Sequence, residues 1–288
     1  MNPAIWGGIS ALGLGTADFM GRFSSRAIGH ASALLGMLAV GCVILTAWYV
    51  ITSPELVSTW AGWHFIALNG IATAVMTLLL YKGLARGPIS VVAPIVASHP
   101  VLVVAAAVLF GAQPTALQWL GMAVTIIGVV VVAKYAHEEK GAEALPPAHL
   151  RTTIYIALGS SVAYAVLVVA GQQAVPVYGD FQTLWFGRLV SLAAIALLFC
   201  IRREAPMLPW RWWPFVAFQG LCDAGGYLAL FAGSHGTGAE IAAVTASTFG
   251  AITVILARFI IKERITPAQW LGIVLVFSGV LLLTWAAG

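Results

Sequence analysis

Apolar runs of about twenty residues, parted by short polar loops, govern what this chain can become. Ten of them are legible, at 3–22, 31–51, 63–84, 89–110, 115–134, 152–171, 181–201, 211–233, 240–261 and 267–286, and each is long enough to cross a hydrocarbon core of ~30 Å. Backbone amides in lipid must be bonded within their own segment or around a closed barrel. The runs lack the apolar–polar alternation of barrel strands, so they are expected to be helices. With 61% of residues hydrophobic and 8% charged, the chain lies far from the composition of soluble domains. The expected fold is an all-α membrane protein with ten transmembrane helices.

The lipid bilayer is therefore the first partner. A net charge of +4 would suggest nucleic acid in a soluble protein, but here the basic residues sit in short loops and at helix ends, where they set orientation. No nucleic-acid partner is implied. Cys42, Cys200 and Cys222 each lie inside an apolar run without metal-type spacing, and read as small core residues rather than disulfides or zinc ligands. Met1 to Arg22 lacks a basic leader and a small-residue cleavage site, and reads as a retained first helix.

The longest hydrophilic stretch, Tyr135 to Arg151, holds His137-Glu138-Glu139-Lys140 and Pro146-Pro147. It reads as a linker at 135–151 between a first five-helix unit at 1–134 and a second at 152–288. The units match in order. At an offset of 150, Ser10, Gly21, Gly29, Gly70, Gly83 and Ala93 meet Ser160, Gly171, Gly179, Gly220, Gly233 and Ala243. After a one-residue slip, Thr115-x-x-Gln118-Trp119-Leu120-Gly121 meets Thr266-x-x-Gln269-Trp270-Leu271-Gly272, and Gly128-Val129 meets Gly279-Val280. Ordered matches across all five helices point to duplication. Because each unit has an odd number of crossings, the second must be inserted upside down, which gives two inverted five-helix repeats, a frame common among secondary transporters.

Thirteen of the 14 Lys and Arg residues lie in or beside the loops after helices one, three, five, seven and nine. The positive-inside rule places those loops in the cytoplasm and both termini outside. Trp6, Trp48, Trp60, Trp63 and Trp185 on one face, with Trp210, Trp212, Trp213 and Trp270 on the other, fit interfacial belts.

The pattern resembles the drug/metabolite transporter superfamily. The residues that carry the likeness are Gly87-Pro88-x-x-Val91-x-Ala93-Pro94 at the start of helix four, Lys262-Glu263-Arg264-x-Thr266-x-x-Gln269-Trp270-x-Gly272 leading into helix ten, and Gly279-Val280 near its end. Within that superfamily the chain is similar to EamA-domain exporters of the bacterial inner membrane, and among them to aromatic amino-acid exporters. The family's acidic residue at the end of helix nine is matched by Glu263, whereas the equivalent position of the first half is Ala112.

Ionisable groups inside a membrane helix are costly and tend to face a bundle interior or a wet cavity. His99 and Asp223 sit deepest, and read as a polar pole of a substrate site or, if transport is proton-coupled, as proton acceptors. The plain alternative is a buried pair, or a histidine bonded to a backbone carbonyl. Lys82 could meet a cargo carboxylate but reads as snorkelling to the headgroups, Asp18 and Arg22 are spaced to pair as i,i+4 neighbours, and Arg188, two turns inside helix seven, could attract an anion but reads as a structural ion pair.

Asn69, Thr73 and Thr77 form one polar stripe on helix three; Gln219, Asp223 and Tyr227 form its mate on helix eight. Facing stripes would enclose a cavity, ringed further by Ser10, Ser160, Ser98 and Thr248. Small hydroxylated residues also allow close helix packing, which is the competing account of the serines. Tyr81, Tyr164, Tyr227 and Phe249 are candidate aromatic walls. Pro94, Pro100 and Gly225-Gly226 are candidate hinges. The expectation is export of amino acids, aromatic and other apolar ones included, with a monomer as the expected form. Nucleotide sugars, phosphorylated sugars and lipophilic drugs are the alternative cargoes. No ATPase motif, His/Glu metal motif, Ser/His pair or carboxylate dyad appears, so neither enzyme chemistry nor a cofactor or metal is implied.

Overall fold

The computed structural model describes residues 3–136, 146–233 and 239–286. Its helices are α1 (Pro3–Ile28), α2 (His30–Thr52), α3 (Trp63–Arg86), α4 (Ile89–Ala97), α5 (His99–Leu109), α6 (Ala116–Tyr135), α7 (Pro147–Arg202), α8 (Trp213–Gly233), α9 (Ala239–Ala246), α10 (Phe249–Ile260) and α11 (Pro267–Trp285). A 3-10 turn at Trp210–Trp212 precedes α8, and no strand occurs among the described residues.

Eight helical stretches among these residues are long and apolar enough to cross a membrane. One of them lies in α7, whose 56 residues include Gly179 in a non-helical conformation (φ 73°, ψ 167°). At a rise of ~1.5 Å per residue, 56 residues span ~84 Å, well over twice a hydrocarbon core. The 26 residues of α1 carry Asp18, Arg22 and Arg26, and are long enough to span ~39 Å.

Two expected helices are broken. The run at 89–110 divides into α4 and α5 at Ser98, whose hydroxyl turns back to the Ile95 carbonyl at 2.7 Å. The run at 240–261 divides into α9 and α10 at Thr248, whose hydroxyl does the same to Thr245 at 2.7 Å. Such back-bonding bends helices, and Pro100 follows the first break with no amide to continue it. Pro94 lies inside α4 without ending it, and α8 runs through Gly225-Gly226 uninterrupted. Most of the 135–151 linker lies outside the described residues; its far end is already helical from Pro147. Cys42 is buried but Cys200 is exposed, so not every cysteine fills a core position.

Residues 150 or 151 apart hold equivalent places. Gly29 and Gly179 have φ of 81° and 73°, a left-handed region that favours glycine. Thr115 and Thr266 head matching capping boxes with Gln118 and Gln269, each with bonds of 3.2 and 2.8 Å. A β-carbon at Gly70 would meet the Gly187 carbonyl and Val190; one at Gly220 would meet the Met37 carbonyl and Val40, the residues 150 earlier. α6 and α11 pack on one another through Gly121, Gly128, Gly272 and Gly279, where an added β-carbon would lie 2.6–3.1 Å from the partner's backbone. Small residues let helices approach this closely.

The helices are tied at both ends of the bundle. On the basic face Arg22 donates to the Gly87 carbonyl at 2.7 Å and Arg26 to the Ala85 carbonyl at 2.9 Å, satisfying the C-terminal end of α3. The Glu263 carboxylate accepts from the Ile89 and Ser90 amides at 3.1 and 2.9 Å and from the Ser90 hydroxyl, capping α4. On the opposite face Gln182 holds Val57 by its amide and carbonyl, at 2.8 and 2.9 Å. Ser32, 150 residues before Gln182, accepts from the amide of Met207, 150 after Val57.

Candidate functional site

Between α1, α2, α3, α4, α7, α8 and α10 lies an internal cavity of about 30 Å³, room for about two waters. Its polar lining is Asp18 on α1; Thr73, Thr77 and Tyr81 on α3; Tyr164 and Arg188 on α7; and Asp223 and Tyr227 on α8. Leu14, Met37, Met76, Leu80, Val96 and Phe249 supply the apolar remainder.

The α3 stripe explains its own limits. Steps of four on a helix of 3.6 residues per turn rotate the direction by ~40° each. Thr73, Thr77 and Tyr81 face the cavity, and Asn69 has turned off it. Asn69 donates instead to the Leu167 carbonyl at 2.9 Å and packs against Gly187. The α8 stripe behaves alike: Asp223 and Tyr227 line the space, while Gln219 stands behind, fully buried, donating to the Tyr81 hydroxyl. Gln219 thus orients one aromatic wall.

The centre of charge is an ion pair. Arg188 Nη2 lies 2.9 Å from Asp223 Oδ2, with both residues buried. The contact sets that carboxylate oxygen directly against the guanidinium. The Arg188 guanidinium also sits over the Tyr227 ring, 4.7 Å from its centroid, a cation–π contact strengthened by exclusion of water. Removing one member of such a pair costs ~3–5 kcal/mol, because the other is left buried and uncompensated.

The remaining residues expected at the site lie elsewhere. His99 bonds its own Val96 carbonyl at 3.2 Å and stacks on Tyr164 with centroids 3.7 Å apart. It backs a wall of the cavity without lining it. Ser160 donates to the Met76 carbonyl across the α7–α3 contact at 2.8 Å, whereas Ser10 is buried with no hydrogen-bond partner among the described residues. Ser98 and Thr248 serve the helix breaks described above. Thr73, Tyr81, Tyr164, Asp223 and Tyr227 are brought together; Ser10, Asn69, Ser98, His99, Ser160, Gln219 and Thr248 do not line the cavity.

Two charged lining residues stood outside the expected site. Asp18, expected beside Arg22, faces the cavity, while Arg22 reaches toward Gly87 and lies 3.9 Å from Glu263. Arg188, read as a structural pair ahead of an anion-attracting group, is paired as expected, and inside the cavity. Comparing the halves hides both, since Val168 and Leu38 stand at the equivalent positions. Their depth in apolar helices was the available signal.

A family model described as the EamA-like transporter family matches residues 1–134 and 151–285. An uncharacterized transporter of Synechocystis sp. is 26% identical over 215 residues, covering 72% of this chain. The chain spans 62% of the length of that curated relative. A protein of known crystal structure has the same fold, with a TM-score of 0.65 at 15% identity over 97% of this chain and 95% of its own. This chain belongs to the EamA-like transporter family, a family of multi-pass membrane proteins.

Proposed function

We propose that the protein is a secondary transporter that exports amino acids, aromatic and other apolar ones included, across a bacterial inner membrane by alternating access. The observation that carries this reading is the buried cavity in which one ion pair is enclosed by Tyr81, Tyr164 and Tyr227. Charges of both signs suit the two ends of an amino acid, and aromatic faces suit its side chain. Arg188 is the cavity's single cation among the described lining residues, a poor match for phosphorylated cargo, which calls for several.

The architecture behind this reading is ten crossings in two inverted five-helix repeats. α7 supplies two crossings on either side of Gly179; α4 with α5 supplies one, and α9 with α10 another. The equivalent places of residues 150 or 151 apart support it, as does the reciprocal glycine contact of α6 with α11. The cavity has room for only about two waters between its walls as they stand, and cargo is admitted when the halves rearrange around the same centre.

The test is uptake by purified protein in liposomes, with labelled phenylalanine and leucine set against a phosphorylated sugar and a lipophilic drug. Movement of the amino acids down their gradient, abolished by Tyr81→Ala with Tyr227→Ala, is expected. Movement of another class with none of the amino acids overturns the assignment.

A further inference from the structure

We infer that the Arg188–Asp223 pair is a stand-in for cargo, and that the site accepts a zwitterion by exchanging this pair for two new ones. The inference rests on the amino-acid reading above and assigns its charged contacts. Arg188 and Asp223 approach from different helices, α7 and α8, and touch across a cavity of only about 30 Å³. No ligand of amino-acid size enters while they touch. Opening the pair yields that space, and leaves a guanidinium and a carboxylate a few ångströms apart.

The partners each would then need are fixed by chemistry. A cargo carboxylate matches the planar fork of Arg188, and a cargo ammonium matches the Asp223 carboxylate once Arg188 has let go of it. Asp18 lines the same space from α1 and offers the ammonium a second acceptor. A ligand with only a carboxylate takes Arg188 and strands Asp223, and one with only an ammonium strands Arg188. Stranding a buried charge is strongly unfavourable, so each half-charged analogue is expected to bind roughly a hundredfold less well. The pair is thereby a selectivity device: it rejects ions of either sign and admits molecules that carry both.

Competition against labelled phenylalanine uptake in liposomes reads this directly on the unaltered protein. Unlabelled phenylalanine should compete, whereas phenylalanine amide, which lacks the carboxylate, and N-acetylphenylalanine, which lacks the ammonium, should each be weaker by roughly a hundredfold. Two substitutions should then split the preference. Asp223→Asn leaves Arg188 free and should raise N-acetylphenylalanine above the amide; Arg188→Gln should do the reverse. Competition by either analogue as strong as that of phenylalanine in the unaltered protein overturns the inference while leaving amino-acid transport standing. So does an unchanged order in folded variants, checked by gel filtration. Failure of both phenylalanine and leucine to move refutes the transport reading and this inference with it.

Discussion

Gln219 illustrates what one buried amide contributes. It is inaccessible, its nitrogen holds the Tyr81 hydroxyl, and its oxygen has no partner among the described residues. Gln219→Leu would strip Tyr81 of its donor and leave the buried hydroxyl without that bond, at a cost of ~1–3 kcal/mol. Thermal denaturation in detergent should show the loss. Tyr81→Phe should be milder when combined with Gln219→Leu than alone, since no bond between the two side chains then remains to break. At this scale the sequence was informative where a residue belonged to a repeated stripe. It was silent on direction: four-residue spacing does not say which member has rotated away, as Asn69 and Gln219 have. Asp18 and Arg188 lacked mates in the other half, and pairing by repeat passed over them.

Among the elements, α4 depends on a side chain 173 residues away. Its first amides are met by Glu263, between α10 and α11, with Arg22 of α1 alongside. Glu263→Ala leaves the Ile89 and Ser90 amides without their acceptor, and should cost ~1–2 kcal/mol, in the range of lost N-caps. Glu263→Gln keeps one acceptor oxygen and should cost less; unfolding midpoints of the two variants check the order. The apolar runs announced the helices themselves, and Thr115 and Thr266 announced two of their starts. The break at Ser98 was legible in Pro100 two residues on, whereas the one at Thr248 was not, because it has no proline and depends on where a hydroxyl finds a carbonyl within its own turn. The expected bends at Pro94 and Gly225-Gly226 did not divide α4 or α8, since tertiary packing overrides local preference there: Gly226 lies against Leu14 of α1.

For the whole molecule, the side occupied by the termini follows from charge. The basic face, with Arg22, Arg26, Arg202, Arg203 and Arg264 at its helix ends, is expected to stay in the cytoplasm. A reporter fused to the C-terminus that is active only outside the cytoplasm should therefore be active; activity of a cytoplasm-only reporter there would invert the molecule. Repetition was the most legible large-scale property, since glycines needed for close approach recur at fixed offsets. The cavity was least legible, because closure depends on side chains from seven helices at once. The contact of α6 with α11 carries a mechanical consequence. Its four glycines leave each backbone seated on the other, with outer faces such as Ile126, Ile127 and Val274 turned outward. Such a seam has no slack for sliding, whereas the cavity walls are joined by bonds that ions can exchange. In the transport cycle proposed above, such a seam would be the fixed contact about which the walls of the cavity rearrange.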